Sequence, residues 1–342
     1  CRSLVKQHNF FGRVLGWICH MNTIGVLTSG GDAPGMNACV RGVVRAALAR
    51  DVQTIGIRRG YAGLLEGDTE LLTSRSVGGI ARWGGTVLQT ARSEKFKTPE
   101  GFRAALQSIR DLGIDGLVVI GGNGSLMGAE LLHKAGVPCV GIPGSIDNDI
   151  IGTDYAIGVD TATNTILEAI DKIKDTASAH QRAFIIEVMG RSCGYLAVAA
   201  GLAGGAEMVI VPERPVKMEE IRAEMVDARE RGKPHFIIVA AEGANPTATE
   251  ICNSLKSPAA SGFDARLTVL GHVQRGGSPT AFDRILATRL ASRAVECLLG
   301  NNSGVMVGLE QNTLTTTPLA KIFEAIRPAD EELLKLEQMI AL

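Results

Sequence analysis

The sequence predicts an α/β fold of two similar doubly wound lobes with mainly parallel sheets. Three observations predict it. Short apolar runs rich in β-branched residues recur along the chain, near-continuous rather than alternating, as in strands buried on both faces. Stretches of helical character stand between them, and strand alternating with helix builds parallel sheets through right-handed crossovers. At 342 residues the chain can divide a large core between two lobes.

In chain order, "IGVLTS" (24–29) is the first strand, and a helix is expected at 36–49. A second helix at 101–111 leads to the strands "GLVVIGG" (116–122) and "CVGIPG" (139–144). A long helix at 160–177 precedes "FIIEVMG" (184–190) and "MVIVPE" (208–213). The helix at 219–231, the strands "FIIVAAEG" (236–243) and "TVLGHVQ" (268–274), and the helix at 280–299 complete the pattern. The 41 glycines suit the tight turns that join such elements.

With 35 basic and 36 acidic residues, the chain has no field for nucleic acid or an anionic membrane, so any cationic site must be local. Seven cysteines without a C-x-x-C pair read as reduced thiols in a cytoplasmic protein. No apolar run approaches the ~20 residues of a membrane span. Residues 1–20 are broken by Arg13 and lack a small-residue cleavage site, so they read as a disordered extension and not a signal peptide. Residues 21–342 form the working domain.

Ligands of open α/β sheets bind beyond the carboxyl ends of the strands. The segments that follow the apolar runs there carry the chemistry. "GGDAPGMN" (30–37) and "GGNGS" (121–125) are glycine turns opening helices, where backbone N–H groups can meet an anion. Neither matches the dinucleotide or Walker pattern. "PGSIDND" (143–149) sets Asp147 and Asp149 two positions apart. Such a pair repels itself and makes sense where a cation sits or a proton must leave, although without further context an Asp-x-Asp is more often a loop or cap pair.

Together with "HQR", "EVMGR" and "VLGHVQRGGSP", these motifs resemble the ATP-dependent 6-phosphofructokinases, in family order from Met21 to about residue 330. The resemblance implies two Rossmann-like lobes, one for the nucleotide and one for the sugar phosphate, with the active site in the cleft. It implies ATP and fructose 6-phosphate as substrates, Mg2+ as cofactor, and a homotetramer with active sites shared between subunits. Asp147 then corresponds to the base that takes the proton of the sugar 1-hydroxyl, and Asp149 to the acidic residue near the metal. Ser145 stands where threonine is common, and Arg191 stabilises charge beside the sugar. Gly31, Arg92, Ser93, Gly122, Asn123, Gly124 and Ser125 fall on nucleotide positions. Ser145, Ile146, Asp147, Met189, Gly190, Arg191 and Glu242 fall on sugar positions. Arg182, Arg266, His272 and Arg275 match the 6-phosphate cluster, with Arg182 and Arg266 reaching in from a neighbour. Gly124 and Gly144 favour ATP over diphosphate, whose users carry larger residues there.

Two departures stand out. The usual "GGDGS" reads "GGNGS", so Asn123 replaces a metal-linked aspartate and brings no charge. Arg41, Arg45, Lys174, Glu207, Arg231 and Lys233 match an effector site for ADP or phosphoenolpyruvate between subunits, but Ser74 and Pro234 replace two of its basic residues. Plainer roles are expected elsewhere: Cys193 as small filler, Tyr61 near the nucleotide or simply packed, and Arg103 and Arg110 as solvated helix charges.

Overall fold

In the computed structural model the described residues are 21–180, 182–255 and 263–340. The extension at 1–20 lies outside them. No helix among the described residues is long and apolar enough to cross a membrane.

The larger lobe is built on seven strands in the order β11-β10-β5-β4-β1-β2-β3. They are β1 (Thr23–Ser29), β2 (Gln53–Ile57), β3 (Thr69–Leu72), β4 (Gly116–Gly121), β5 (Cys139–Pro143), β10 (Val305–Glu310) and β11 (Thr313–Pro318). β1, β2, β4, β5 and β10 run parallel, and an antiparallel strand closes each edge. The smaller lobe has four parallel strands in the order β7-β8-β6-β9: β7 (Met208–Ile210), β8 (Phe236–Ala241), β6 (Arg182–Val188) and β9 (Asp264–Val269). Every residue of β4, β5 and β8 is buried, which explains why their sequences do not alternate.

The expected helices form with small shifts of their ends: α1 (Met36–Leu48), α3 (Pro99–Asp111), α5 (Val159–His180), α7 (Met218–Glu230) and α9 (Ala281–Leu299). They are joined by α2 (Tyr61–Glu66), α4 (Asn123–Lys134), α6 (Tyr195–Gly204), α8 (Ala248–Ser254) and α10 (Glu331–Ile340). α1 and α9 pack closely because Gly42 lacks a side chain; a Cβ there would lie 2.6 Å from Ala291 Cβ. One strand needs correction. The run "TVLGHVQ" ends as a strand at Val269, and Gly271–Arg275 is a 3-10 turn. The chain leaves the sheet at Leu270, after its N–H has bonded Glu187 O at 3.1 Å.

α5 runs from the larger sheet to the smaller one, so its N-terminus decides how the lobes meet. Asp283, in the first turn of α9 and fully buried, caps it from 122 residues away. Its carboxylate accepts Gly158 N at 2.9 Å, Thr161 N at 2.8 Å and the Thr161 hydroxyl at 2.5 Å. Thr280 in turn caps α9 and donates its own N–H to Thr161 Oγ1 at 3.0 Å. Asp283→Ala would strand two buried N–H groups, each hydrogen bond to a charged group contributing about 1.5–3 kcal/mol. We expect the thermal midpoint to fall by roughly 5 °C or more in differential scanning calorimetry. A change within about 1 °C would show that the two helix ends do not depend on this carboxylate.

Candidate active site

The strand ends of both lobes face one cavity of about 740 Å³. One wall is backbone. Gly30 takes a left-handed φ of +88°, and Gly31 lets Arg275 approach so closely that a Cβ would sit 2.5 Å from its Nη1. The N-terminus of α4, which starts at Asn123, forms another part of the lining, with Gly122, Gly124 and Ser125 beside it. Arg92 and Ser93 arrive from the segment after β3, and Arg191 and Arg275 from the loops after β6 and β9.

Asp147 and Asp149 both line this space. Asn148 makes that possible. It adopts φ +53°, tolerable for asparagine, and turns inward, donating to Asp154 O at 3.0 Å and accepting Ala156 N at 3.0 Å. Its two neighbours are therefore turned outward. The Ser145 hydroxyl accepts Asp147 N at 3.3 Å and reaches Asp149 Oδ1 at a long 3.5 Å. Asn123 donates its amide to Asp149 Oδ2 at 2.9 Å.

Burial raises the Asp147 pKa, the charge of Asp149 raises it further, Arg275 and Arg191 oppose the shift, and Glu242 adds to it. Asp149 is also raised by burial, with the bonds from Asn123 and Ser145 acting against it. Asp147 Oδ1 is buried and has no hydrogen-bond partner. A half-buried carboxylate that lines a cavity and has a hydrogen-bonding oxygen unused is suited to receive a proton.

The other expected residues divide into three groups. Glu242 lies 3.5 Å from Arg191 Nε, and its own N–H continues the ladder to Val188 O. Met189 and Gly190 follow directly, while His272 stands exposed on the 3-10 turn beside Arg275. The Ile146 side chain is buried in the core against Gly158 and does not line the cavity. Arg182 and Arg266 do not join this site. Arg182 begins β6, about 20 Å along the strand from Met189, and both arginines pair with Asp264 at 3.4 and 2.7 Å.

Of the effector candidates, Lys174 donates to Gly204 O and Gly205 O at the end of α6, at 2.8 and 3.0 Å. Glu207 is nearby, with Lys233 3.7 Å from it. Arg231 pairs with Asp227 on α7. Arg41 and Arg45 stand apart on α1 of the larger lobe, where Arg45 donates to Ser74 O at 3.2 Å. Tyr61 is packed: its ring stacks on Phe96 at 4.2 Å and its hydroxyl donates to Ser125 O at 2.6 Å. Cys193 is buried, its thiol pushed up to about 11 by burial. Arg103 is an exposed helix charge paired with Glu100.

The family model described as Phosphofructokinase matches residues 23–298. The chain belongs to the phosphofructokinase family. "ATP-dependent 6-phosphofructokinase 1" of Thermus thermophilus is 52% identical over 324 residues, covering 94% of this chain and all of that protein. "ATP-dependent 6-phosphofructokinase" of Bacillus subtilis is 50% identical over 322 residues, with the same coverage. Among solved structures, phosphofructokinase from Saccharomyces cerevisiae superposes with a TM-score of 0.82 at 37% identity. That match covers 94% of this chain and 46% of the yeast one, so the chain spans about half the yeast length. A pyrophosphate-dependent phosphofructokinase from Marinobacter aquaeolei shares the fold at a TM-score of 0.78 and 22% identity.

Sequence reading of this phosphofructokinase missed the residues that hold the ligand positions without touching the cavity. Asn148 had a signal, since an asparagine between two aspartates is the residue type that accepts positive φ. Glu213 had none. Its carboxylate accepts Gly194 N at 2.9 Å and Ala329 N at 2.8 Å, fixing the loop that carries Arg191 against the C-terminal segment.

The electrostatics can be tested without substrate. In carbon-detected NMR of the ligand-free protein, the Asp147 carboxyl should titrate above the ordinary aspartate value of about 3.9. Glu242→Gln, which removes one neighbouring negative charge, should lower that midpoint. A normal midpoint, or one insensitive to Glu242, would show that Asp147 is neither desolvated nor coupled as described.

Proposed function

We propose that the protein transfers the γ-phosphoryl group of ATP to the 1-hydroxyl of D-fructose 6-phosphate, giving fructose 1,6-bisphosphate and ADP, as a cytoplasmic glycolytic enzyme. Relatives named ATP-dependent 6-phosphofructokinase, matched over their whole length at about half identity, support it. The observation that carries it is Asp147: an unpartnered, half-buried carboxylate in a cavity that also holds Arg92, Arg191 and Arg275.

In this reading Asp147 removes the proton of the 1-hydroxyl as that oxygen bonds to the γ-phosphorus. The bond from phosphorus to the bridging oxygen breaks, and ADP leaves with its electron pair. Phosphoryl transfer is mostly positioning and neutralisation of anionic oxygens, so the arginines carry much of the task. Arg92 acts on the nucleotide phosphates, Arg191 on charge beside the sugar, and the glycine turns offer N–H groups to the donor. Met189, Gly190 and Glu242 border the sugar, and His272 and Arg275 take its 6-phosphate. Gly124 supports ATP as donor, because it lines the cavity with open space around it and no side chain to fill that space.

Magnesium prefers hard oxygen donors and keeps several waters. Among the described residues no cluster of three or more His, Cys, Asp or Glu forms a closed metal cage. The donors present fit an ion carried mainly by phosphates and held through Asp149, with Asn123 orienting that carboxylate. When bound, the ion neutralises charge on the transferring group.

Arg182 and Arg266 lie too far along their strands to serve this chain's own cavity. That supports a homotetramer in which each completes a neighbour's phosphate site. Arg41 and Arg45 on one subunit facing Lys174, Glu207, Arg231 and Lys233 of another is the matching proposal for an ADP or phosphoenolpyruvate site.

Two experiments test this reading. In a coupled assay with ATP and diphosphate run in parallel, the protein should turn over fructose 6-phosphate with ATP. Asp147→Asn should lower kcat by about 10²–10⁴-fold with sugar-phosphate affinity largely kept. Near-normal turnover by the variant removes Asp147 from the role of base, and faster turnover with diphosphate reverses the donor. Separately, rate against free magnesium at fixed MgATP should show a higher requirement in the wild type than in Asn123→Asp, with unchanged fructose 6-phosphate affinity. Coincident curves would remove position 123 from the metal's environment.

A further inference from the structure

Gln274 lies between His272 and Arg275 in the turn after β9, yet it is fully buried while His272 and Val273 are exposed. Both ends of its amide are used. Oε1 accepts Met189 N at 3.1 Å, and Nε2 donates to Gly271 O at 2.9 Å. β6 and β9 are parallel neighbours whose backbone ladder ends with Leu270 N bonded to Glu187 O. The next donor on the β6 side, Met189 N, is buried, and the chain after β9 has already turned away. The Gln274 side chain supplies the missing rung.

The same amide closes the turn that presents His272 and Arg275, and it holds the residue two before Arg191. On the other side of β6, Glu242 N bonds Val188 O at 2.8 Å. Three loops bearing substrate positions are thus joined at Val188 and Met189, and past the last backbone rung at Leu270 the Gln274 side chain links two of them. Arg275 has one further tether, from Nη1 to Asp32 O at 3.2 Å, and Arg191 is largely exposed. The Arg275 guanidinium rests against the Gly31 backbone, while Arg191 has little packing to hold it.

We propose that Gln274 is a positioning residue for the sugar phosphate. It sets the separation of Arg275 from the Met189–Arg191 segment by bonding both loops with one amide, and touches no substrate itself. This rests on the phosphotransfer reading above.

The requirement is for an acceptor and a donor at a fixed spacing, which selects glutamine. Methionine matches its length but leaves Met189 N without a partner and removes the side-chain donor to Gly271 O. Glutamate keeps the acceptor for Met189 N and turns the donor into a second acceptor facing Gly271 O. A role in substrate placement should fall on the sugar phosphate and spare ATP, whose positions lie on the larger lobe.

The experiment measures KM for both substrates in the full-length wild type, Gln274→Met and Gln274→Glu, with fructose 6-phosphate binding by calorimetry and thermal midpoints alongside. Gln274→Met should raise the KM and the dissociation constant for fructose 6-phosphate at least tenfold, with KM for ATP within about twofold. Gln274→Glu should lie between it and the wild type. The effect of Gln274→Met should also shrink in an Arg275→Ala background, because two changes acting through one contact are not additive. Equal losses for both substrates, or full additivity with Arg275→Ala, would reduce Gln274 to a folding role and overturn the proposal. If Gln274→Met does not fold, unchanged fructose 6-phosphate binding in Gln274→Glu overturns it equally. A wild type that neither binds nor phosphorylates fructose 6-phosphate overturns the phosphotransfer reading itself, and this proposal with it.

Discussion

Two carboxylates two residues apart can share one cavity only if the backbone between them is held from behind. Left free, the segment would swing one of them into solvent and relieve both repulsion and desolvation. Asn148 prevents this by spending its whole amide on the inner chain, at Asp154 and Ala156. From the C-terminal side, Arg327 N donates to Asp149 O at 3.1 Å and its guanidinium to Asp154 O at 2.6 Å. The raised pKa of Asp147 follows from this enforced placement. Its strain is offset by bonds distributed through residues that never reach the cavity.

The two lobes are joined by the same logic. Asp149 is tied to Arg327, Ala329 to Glu213, and Glu213 to Gly194 in the loop that carries Arg191. A short C-terminal run therefore connects the acidic pair of the larger lobe to an arginine of the smaller one. The link is made of backbone donors and one carboxylate, so its length is fixed where a salt bridge between long side chains would not be. The 3.5 Å Arg191–Glu242 pair, with Arg191 mostly exposed, would fix little by comparison.

The α/β pattern was legible because buried parallel strands write themselves as continuous apolar runs, as β4, β5 and β8 do. The cavity was legible where its lining residues follow those runs directly, as in "GGNGS", "PGSIDND" and "HVQRGG". The closing hairpin β10–β11 was harder to read. Its two-residue turn uses Gln311 and Asn312, both at positive φ, without the glycine that usually marks such a turn. Long-range tethers were not legible at all. Nothing in the sequence around Asp283 or Gln274 says that its partner is 122 or 85 residues away. Arg182 and Arg266 were assigned a place by resemblance, and both pair with Asp264 away from their own chain's cavity.

Asn123 shows how a small change at the cavity mouth redistributes charge. A carboxylate there would face Asp149 across a gap that now holds a 2.9 Å hydrogen bond, and the two would need a cation to coexist. With asparagine the pair is stable alone, because the amide donates to the carboxylate and helps keep it ionised. The ligand-free site is therefore less dependent on metal. Under the proposed function the cost would fall on metal affinity, since one Asp149 oxygen already accepts the Asn123 amide. Under the proposed function, hydrogen bonding to Asn123 and attraction for magnesium would compete at one atom, at the position where "GGNGS" departs from the family pattern.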